Sequence, residues 1–314
     1  MRIVATVATC LLIAALIGNS EMVHAEGWTI PSGSVWTYSY IESVHTPQSH
    51  LALNGTLEDA CVGLTTVSIS DEDTEVLLYY TLITADVTGV VLSDFGNWAP
   101  VTGELITSKL EYFDLETGTP VRTVFNQMLD MGSLYYEEHN DTHYADVIIQ
   151  PPDIYSDFYS GSLPPGTEWT VVYVGTVSVD GVENTESFNW SCDLRSYVNR
   201  TYIGNETIDV TAGIFACQKV LSEYADSTTE EWYSSVARRN AKVTVHSEED
   251  SIVWSLIEYE LHEETIGGNE HDLNPAILLA SVAVVIAVMA MTLMLFIRRQ
   301  KPPPESQGML APPK

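Results

Sequence analysis

An uninterrupted apolar run of about 22 residues, Ala276 to Ile297, partitions everything else in this chain. At about 1.5 Å per residue a helix of that length reaches roughly 33 Å, the depth of a bilayer's hydrocarbon core. A core helix of a water-soluble domain would carry a polar face, and this run has none. Arg298, Arg299 and Lys301 follow at once, and no basic residue lies near the other end. The positive-inside rule therefore predicts a cytoplasmic tail at 298–314 and the large preceding segment outside the cell. Met289, Met291 and Met294 read as lipid-facing residues of this helix.

The N-terminus predicts export. Arg2 supplies a basic start, Ile3 to Ile17 an apolar stretch short for a span, and Val23-His24-Ala25 a small-residue cleavage site. Residues 1–25 are thus expected to be a signal peptide, and cleavage would remove Cys10. Residues 263–275, with Gly267-Gly268, read as an acidic juxtamembrane stalk. The tail, with Pro302-Pro303-Pro304 and Pro312-Pro313, is too short and polar to fold.

Charge narrows the partners. The chain has 43 acidic and 13 basic residues, a net charge of −30; the segment 26–274 holds all but two of the acidic residues and eight of the basic ones. Such a surface excludes nucleic-acid binding through phosphates and repels anionic headgroups. Its simplest role is solubility, since crowded carboxylates are tolerated where salt screens them or acid protonates them. Five glycosylation sequons, at Asn54, Asn140, Asn189, Asn199 and Asn205, all fall in this segment and suit an exported surface. Asn189 stands in a predicted strand, where access is harder.

Between the ends the dominant signal is period two. Val35 to Ile41 alternates, with Trp36, Tyr38 and Tyr40 on one face. Glu75 to Val87 is apolar on both faces, as in a central strand. Thr170 to Val179 is β-branched, and Ser251 to Leu261 places Val253, Ile257, Tyr259 and Leu261 on one face. Turn signals fall at Asp71-Glu72-Asp73, Thr117 to Pro120, Asp180-Gly181 and Ala212-Gly213. Gln127 to Glu138 admits a short helix. The expected fold is all-β, antiparallel curved sheets, plus the one C-terminal transmembrane helix.

The chain also echoes itself. Pro31 to Tyr40 and Pro164 to Tyr173 share Pro, Gly, Trp, Thr and Tyr in register, 133 residues apart. Each reads as a turn that launches a strand. The echo predicts two related β units, 26–150 and 151–262, with a boundary at Pro151-Pro152, where paired prolines break a ladder.

Chemistry is sparse. There is no GxSxG elbow, no HExxH, no phosphate-binding glycine loop and no CxxC. No cofactor and no catalytic residues are expected. His139 and His143, flanked by Glu137, Glu138 and Asp141, share a face if helical and are the best metal candidates, though the polar segment reads first as a solvated loop. Three cysteines remain after cleavage. Cys192 and Cys217 are the expected disulfide within the second unit, with Cys61 left over; the pairing needs a curled sheet if a strand lies between them. The many aromatics fit either strand cores or the lining of an apolar pocket.

The stretch Gly204 to Val220, with Thr211-Ala212-Gly213-Ile214-Phe215-Ala216-Cys217, resembles a V-P-A-G-x-F-x-C-like motif. That motif recurs in β-rich, membrane-anchored, largely archaeal surface and secreted proteins of uncharacterised function. Trp232-Tyr233-Ser234, Pro151-Pro152 and Leu163 to Trp169 are similar to further segments of that family. Thr211 stands where the family has proline, and Ala237-Arg238 where it has Val-Gly. The resemblance implies a curved antiparallel sheet akin to lipoprotein-carrier half-barrels and no catalytic residues.

Two functions are expected from these readings. The first is a non-enzymatic cell-surface protein, single-pass type I, in a structural, adhesive or ligand-presenting role. Its partners would be the bilayer, through the C-terminal helix, and a cell-envelope protein. The alternative is a binder of lipid or another hydrophobic ligand in the concavity of the sheet. A solid core favours the first; an apolar cavity of several hundred Å³ favours the second.

Overall fold

The computed structural model describes residues 32–262 except 70–71, 94–95, 116–119, 134–135, 151–162 and 184–185. The expected signal peptide, the Pro151-Pro152 boundary, the stalk, the transmembrane segment and Arg298, Arg299 and Lys301 lie outside the described residues. Among the described residues no helix is long and apolar enough to cross a membrane.

Twelve antiparallel strands close into one barrel. In chain order they are β1 (Val35–Thr46), β2 (Ser49–Ile69), β3 (Glu72–Leu92), β4 (Trp98–Asp114), β5 (Pro120–Ser133) and β6 (Tyr136–Gln150). There follow β7 (Glu168–Glu183), β8 (Glu186–Val210), β9 (Gly213–Glu223), β10 (Ser227–Ser234), β11 (Arg239–Ser247) and β12 (Asp250–Glu260). Each strand pairs with its chain neighbour, and β12 returns to β1 through Val44↔Asp250 to Val35↔Glu260. Closure gives every strand a partner on both sides over at least part of its length. The chain enters β1 and leaves β12 at the same end.

The alternation of β1 works as its sequence predicts: Trp36, Tyr38 and Tyr40 all point inward and are buried. Three local expectations are corrected. Within the stretch that admits a helix, residues 127–133 end β5 and 136–138 begin β6, because pairing with β4 and between β5 and β6 outweighs local helix preference. Asp180-Gly181 lies inside β7, not at a turn. The buried row of β12 is Ile252, Trp254 and Leu256, not Val253 and Ile257. Beyond Leu256 the β1–β12 bulge between Thr37 and Tyr38 skips Ile257 and shifts the phase, so Tyr259 pairs with the inward Trp36 and meets the Phe215 ring edge-on at 6.0 Å.

The two expected units are not separate sheets, yet the pairing repeats halfway round the barrel. Gly33 N–H donates to Cys61 O at 2.7 Å and Cys61 N–H to Ser34 O at 2.9 Å; Gly166 does the same to Tyr202, and Tyr202 to Thr167, at the same distances. β2–β3 bulges between Cys61 and Gly63, and β8–β9 between Tyr202 and Gly204, each partner 141 residues on. Gly63 and Gly204 carry φ of 122° and 132°, which L side chains rarely adopt. The β4–β5 bulge at Tyr112/Phe113 recurs in β10–β11 at Trp232/Tyr233, 120 residues on. The junctions differ: by the repeat, Trp254 would face Val44, but it faces Tyr40, four residues away.

A twelve-stranded barrel has room for a lumen. Here large side chains occupy it. Trp36, Tyr38, Tyr79, Phe113, Leu105 and Leu256 are fully buried in the half built by β1–β4 and β9–β12. The turn between β10 and β11 folds inward, where Ala237 is buried and its carbonyl accepts the Trp36 indole N–H at 2.7 Å.

Candidate functional site

Charged residues stand inside the barrel on rows that are otherwise apolar. Asp59 continues the row of Leu51, Leu53 and Leu57 in β2, and Lys109 and Glu111 sit between Leu105 and Phe113 in β4. Arg239, from the start of β11, reaches Asp59 in a close ion pair and lies 4.0 Å from the Tyr79 ring centroid and 5.2 Å from that of Trp36. Lys109 and Glu111 pair at 2.8 Å, and Thr81 donates to Asp59 at 3.0 Å. Two cations thus face two carboxylates in an aromatic shell. Burial pushes both members of the Asp59–Arg239 pair toward neutrality: it raises the Asp59 carboxyl, with Lys109 pulling the other way, and lowers the Arg239 guanidinium to about 9. The pair's contact opposes that drift. The cluster encloses a cavity of about 10 Å³, the room of about one water. No substrate fits there.

Two more buried polar groups follow the same pattern. In the second half Glu231 sits where Glu111 sits in the first, accepting from Ser222 at 3.5 Å and Asn240 at 3.4 Å, with Arg200 in the place of Asp59. Burial raises the Glu231 carboxyl and Arg200 lowers it. In β1, Glu42 accepts a hydrogen bond from the Tyr40 hydroxyl on Oε2, while its buried Oε1 has no partner among the described residues. Burial pushes Glu42 up to about 8, which favours its protonated form near neutral pH.

At the barrel end away from the chain exit, an open cleft of about 710 Å³ lies between the β9–β10 and β11–β12 turns. Asp226, Glu248, Glu249, Asp250 and His246 give it a polar, acidic rim over Val245 and Ile252.

The predicted site residues scatter. His139 and His143 lie on strand β6, paired opposite Met131 and Gln127. At strand spacing their Cα atoms stand about 13 Å apart, too far for one ion. Among the described residues no cluster of three or more His, Cys, Asp or Glu is placed to hold a metal. Cys192 and Cys217 are free thiols and do not meet. Cys192 is exposed opposite Val177 of β7; Cys217 is buried opposite Glu206, 14 residues further along β8. The sheet does not curl the two together because β8 is one continuous strand between them. Burial raises the thiols of Cys61, to about 12, and Cys217, to about 11.

The sequon asparagines Asn54, Asn189, Asn199 and Asn205 are exposed on the outer wall, and Asn140 lies on β6. Asn199 accepts from Thr170 at 2.8 Å and Asn205 from Tyr202 at 3.0 Å. The stretch that carries the family resemblance is the β8–β9 hairpin: Gly204 forms its bulge, Thr211 and Ala212 its turn, and Phe215 and Cys217 pack inward. Sequence reasoning missed the interior charges, though a signal was present: Asp59, Lys109 and Glu111 each interrupt an apolar row in phase. In comparisons with known proteins, no family model, no curated protein and no solved structure matches the chain.

Proposed function

We propose that this chain is a non-enzymatic cell-surface glycoprotein. A cleaved signal exports it, the helix at 276–297 anchors it with type I orientation, and the barrel is a rigid head for structural, adhesive or ligand-presenting work. The observation that carries this reading is the interior of the β1–β4 and β9–β12 half, packed with aromatics and sealed by the Asp59–Arg239 and Lys109–Glu111 pairs. A carrier of hydrophobic ligands needs an apolar chamber there, and the space at its centre is about 10 Å³. The recurring bulges and registers support the further reading that the head is a duplicated six-strand unit, β1–β6 and β7–β12. The V-P-A-G-x-F-x-C-like resemblance of Gly204 to Val220 supports the same reading, a membrane-anchored surface protein.

Protease added to intact cells tests the topology. It should remove the barrel and leave only the span and tail, and glycosidase treatment should lower the mass of the released head. A barrel protected from outside protease would overturn the reading.

A further inference from the structure

β8 is 25 residues long, and its two neighbours are unequal. β7 pairs with it up to Glu183↔Glu186, but β9 begins to pair only at Asn199↔Glu223. Along Ser187–Val198, about 40 Å of strand, one edge of β8 has no neighbouring strand among the described residues. Trp190, Cys192, Asp193, Arg195 and Tyr197 are exposed on this stretch. The internal repeat indicates what fits such an edge. In the first half the equivalent stretch of β2, Leu51–Leu57, is covered by β3 running antiparallel, from Gly89 to Ile83.

We propose that the free edge of β8 pairs antiparallel with the same edge of a second copy of this chain, centred on Leu194. The proposal rests on the surface-protein reading above and gives it a partner. In this register Asp193 of each copy faces Arg195 of the other, so the contact carries two opposite-charge pairs. Within its own chain Arg195 lies 5.4 Å from the Tyr197 ring centroid, and neither Asp193 nor Arg195 is in an ion pair among the described residues. Cys192 faces Ser196, and Trp190 faces Val198. A parallel arrangement would set Asp193 against Asp193, like charge on like charge. The antiparallel contact is isologous and closed, so it stops at two copies. Asn189 and Asn199 lie on the same outward row, where glycans point away from the edge.

Antiparallel pairing also reverses one barrel relative to the other. The free edge lies toward the end opposite the chain exit after Glu260, so the two exits point away from each other. With its exits opposed, such a pair is suited to joining chains anchored in two facing surfaces. One edge contact is weak, and many copies on each surface add avidity.

Two experiments on the full chain test this. In detergent, Ser196→Cys under mild oxidation should give a covalent dimer joining Cys192 of one copy to position 196 of the other, where the unsubstituted chain gives none. In vesicles carrying the full chain, the unsubstituted protein should cluster them. Asp193→Arg and Arg195→Asp should each reduce clustering about tenfold, and mixing the two variant populations should restore it, because each reversed charge then meets its opposite. Restoration also shows that both variants are folded. Unsubstituted vesicles that stay dispersed, with no Ser196→Cys cross-link, overturn the proposal. Clustering that both reversals leave unchanged overturns the β8 edge and leaves the adhesive surface reading standing. Failure of the outside protease to reach the barrel would instead strike that reading.

Discussion

Glu42 is a buried carboxyl held well above the ordinary carboxylate range by desolvation. Its folded pKa of about 8 lies above the unfolded value of 4.5, so folding favours its protonated form. The stability this contributes is fully present below about pH 4.5 and is lost as pH rises toward 8. Glu42→Gln removes the titration. Its stability relative to the native chain should therefore improve from pH 5 to pH 8 by on the order of 2–4 kcal/mol, read from urea unfolding at each pH. Parallel curves for the two proteins would contradict the assignment. The Asp59–Arg239 pair makes a second demand. Asp59→Ala leaves the Arg239 guanidinium buried beside two aromatic rings and should cost about 3–5 kcal/mol, whereas replacing both partners with apolar residues of similar volume should cost much less. The cysteines add a labelling pattern: a thiol reagent should modify Cys192 in the native protein and reach Cys61 and Cys217 only after unfolding, since both are buried and their thiols raised.

Among elements, the hairpins β2–β3 and β8–β9 carry the repeat. Each has a positive-φ glycine at its bulge, and each bulge is locked to the turn that opens the preceding strand. Gly63→Ala and Gly204→Ala should each cost about 1–3 kcal/mol, with Gly63 the more sensitive because a Cβ there meets the Ser32 Oγ at 3.0 Å while at Gly204 the nearest atom is 3.5 Å away. Equilibrium unfolding of the two variants checks this. These hairpins also show what was legible in the sequence. The turn at Ala212-Gly213, the inward aromatics of β1 and the Pro31–Tyr40 echo all depend on local chemistry and read correctly. The buried face of β12 did not, because Val253 and Ile257 are apolar too and the bulge opposite Thr37 and Tyr38 breaks the period-two pattern before Tyr259. Nor did the span of β8: nothing local separates Cys192 from Cys217 by a continuous strand, so their proximity in sequence suggested a bond that the register forbids.

At the scale of the whole molecule, closure of the barrel depends on β12 finding β1 across more than two hundred residues, which no window of sequence reveals. The interior charges were visible as interruptions of apolar rows, but their pairing across the lumen required the fold. We infer that the lumen of the half built by β1–β4 and β9–β12 is filled by the protein's own side chains, so that the head presents a surface rather than a chamber there. Native mass spectrometry of the head, released from membranes by protease and separated from free lipid, tests it most directly. The expected mass equals polypeptide plus glycan, unchanged after organic extraction; a stoichiometric lipid or other hydrophobic ligand that extraction removes would show that the interior holds cargo.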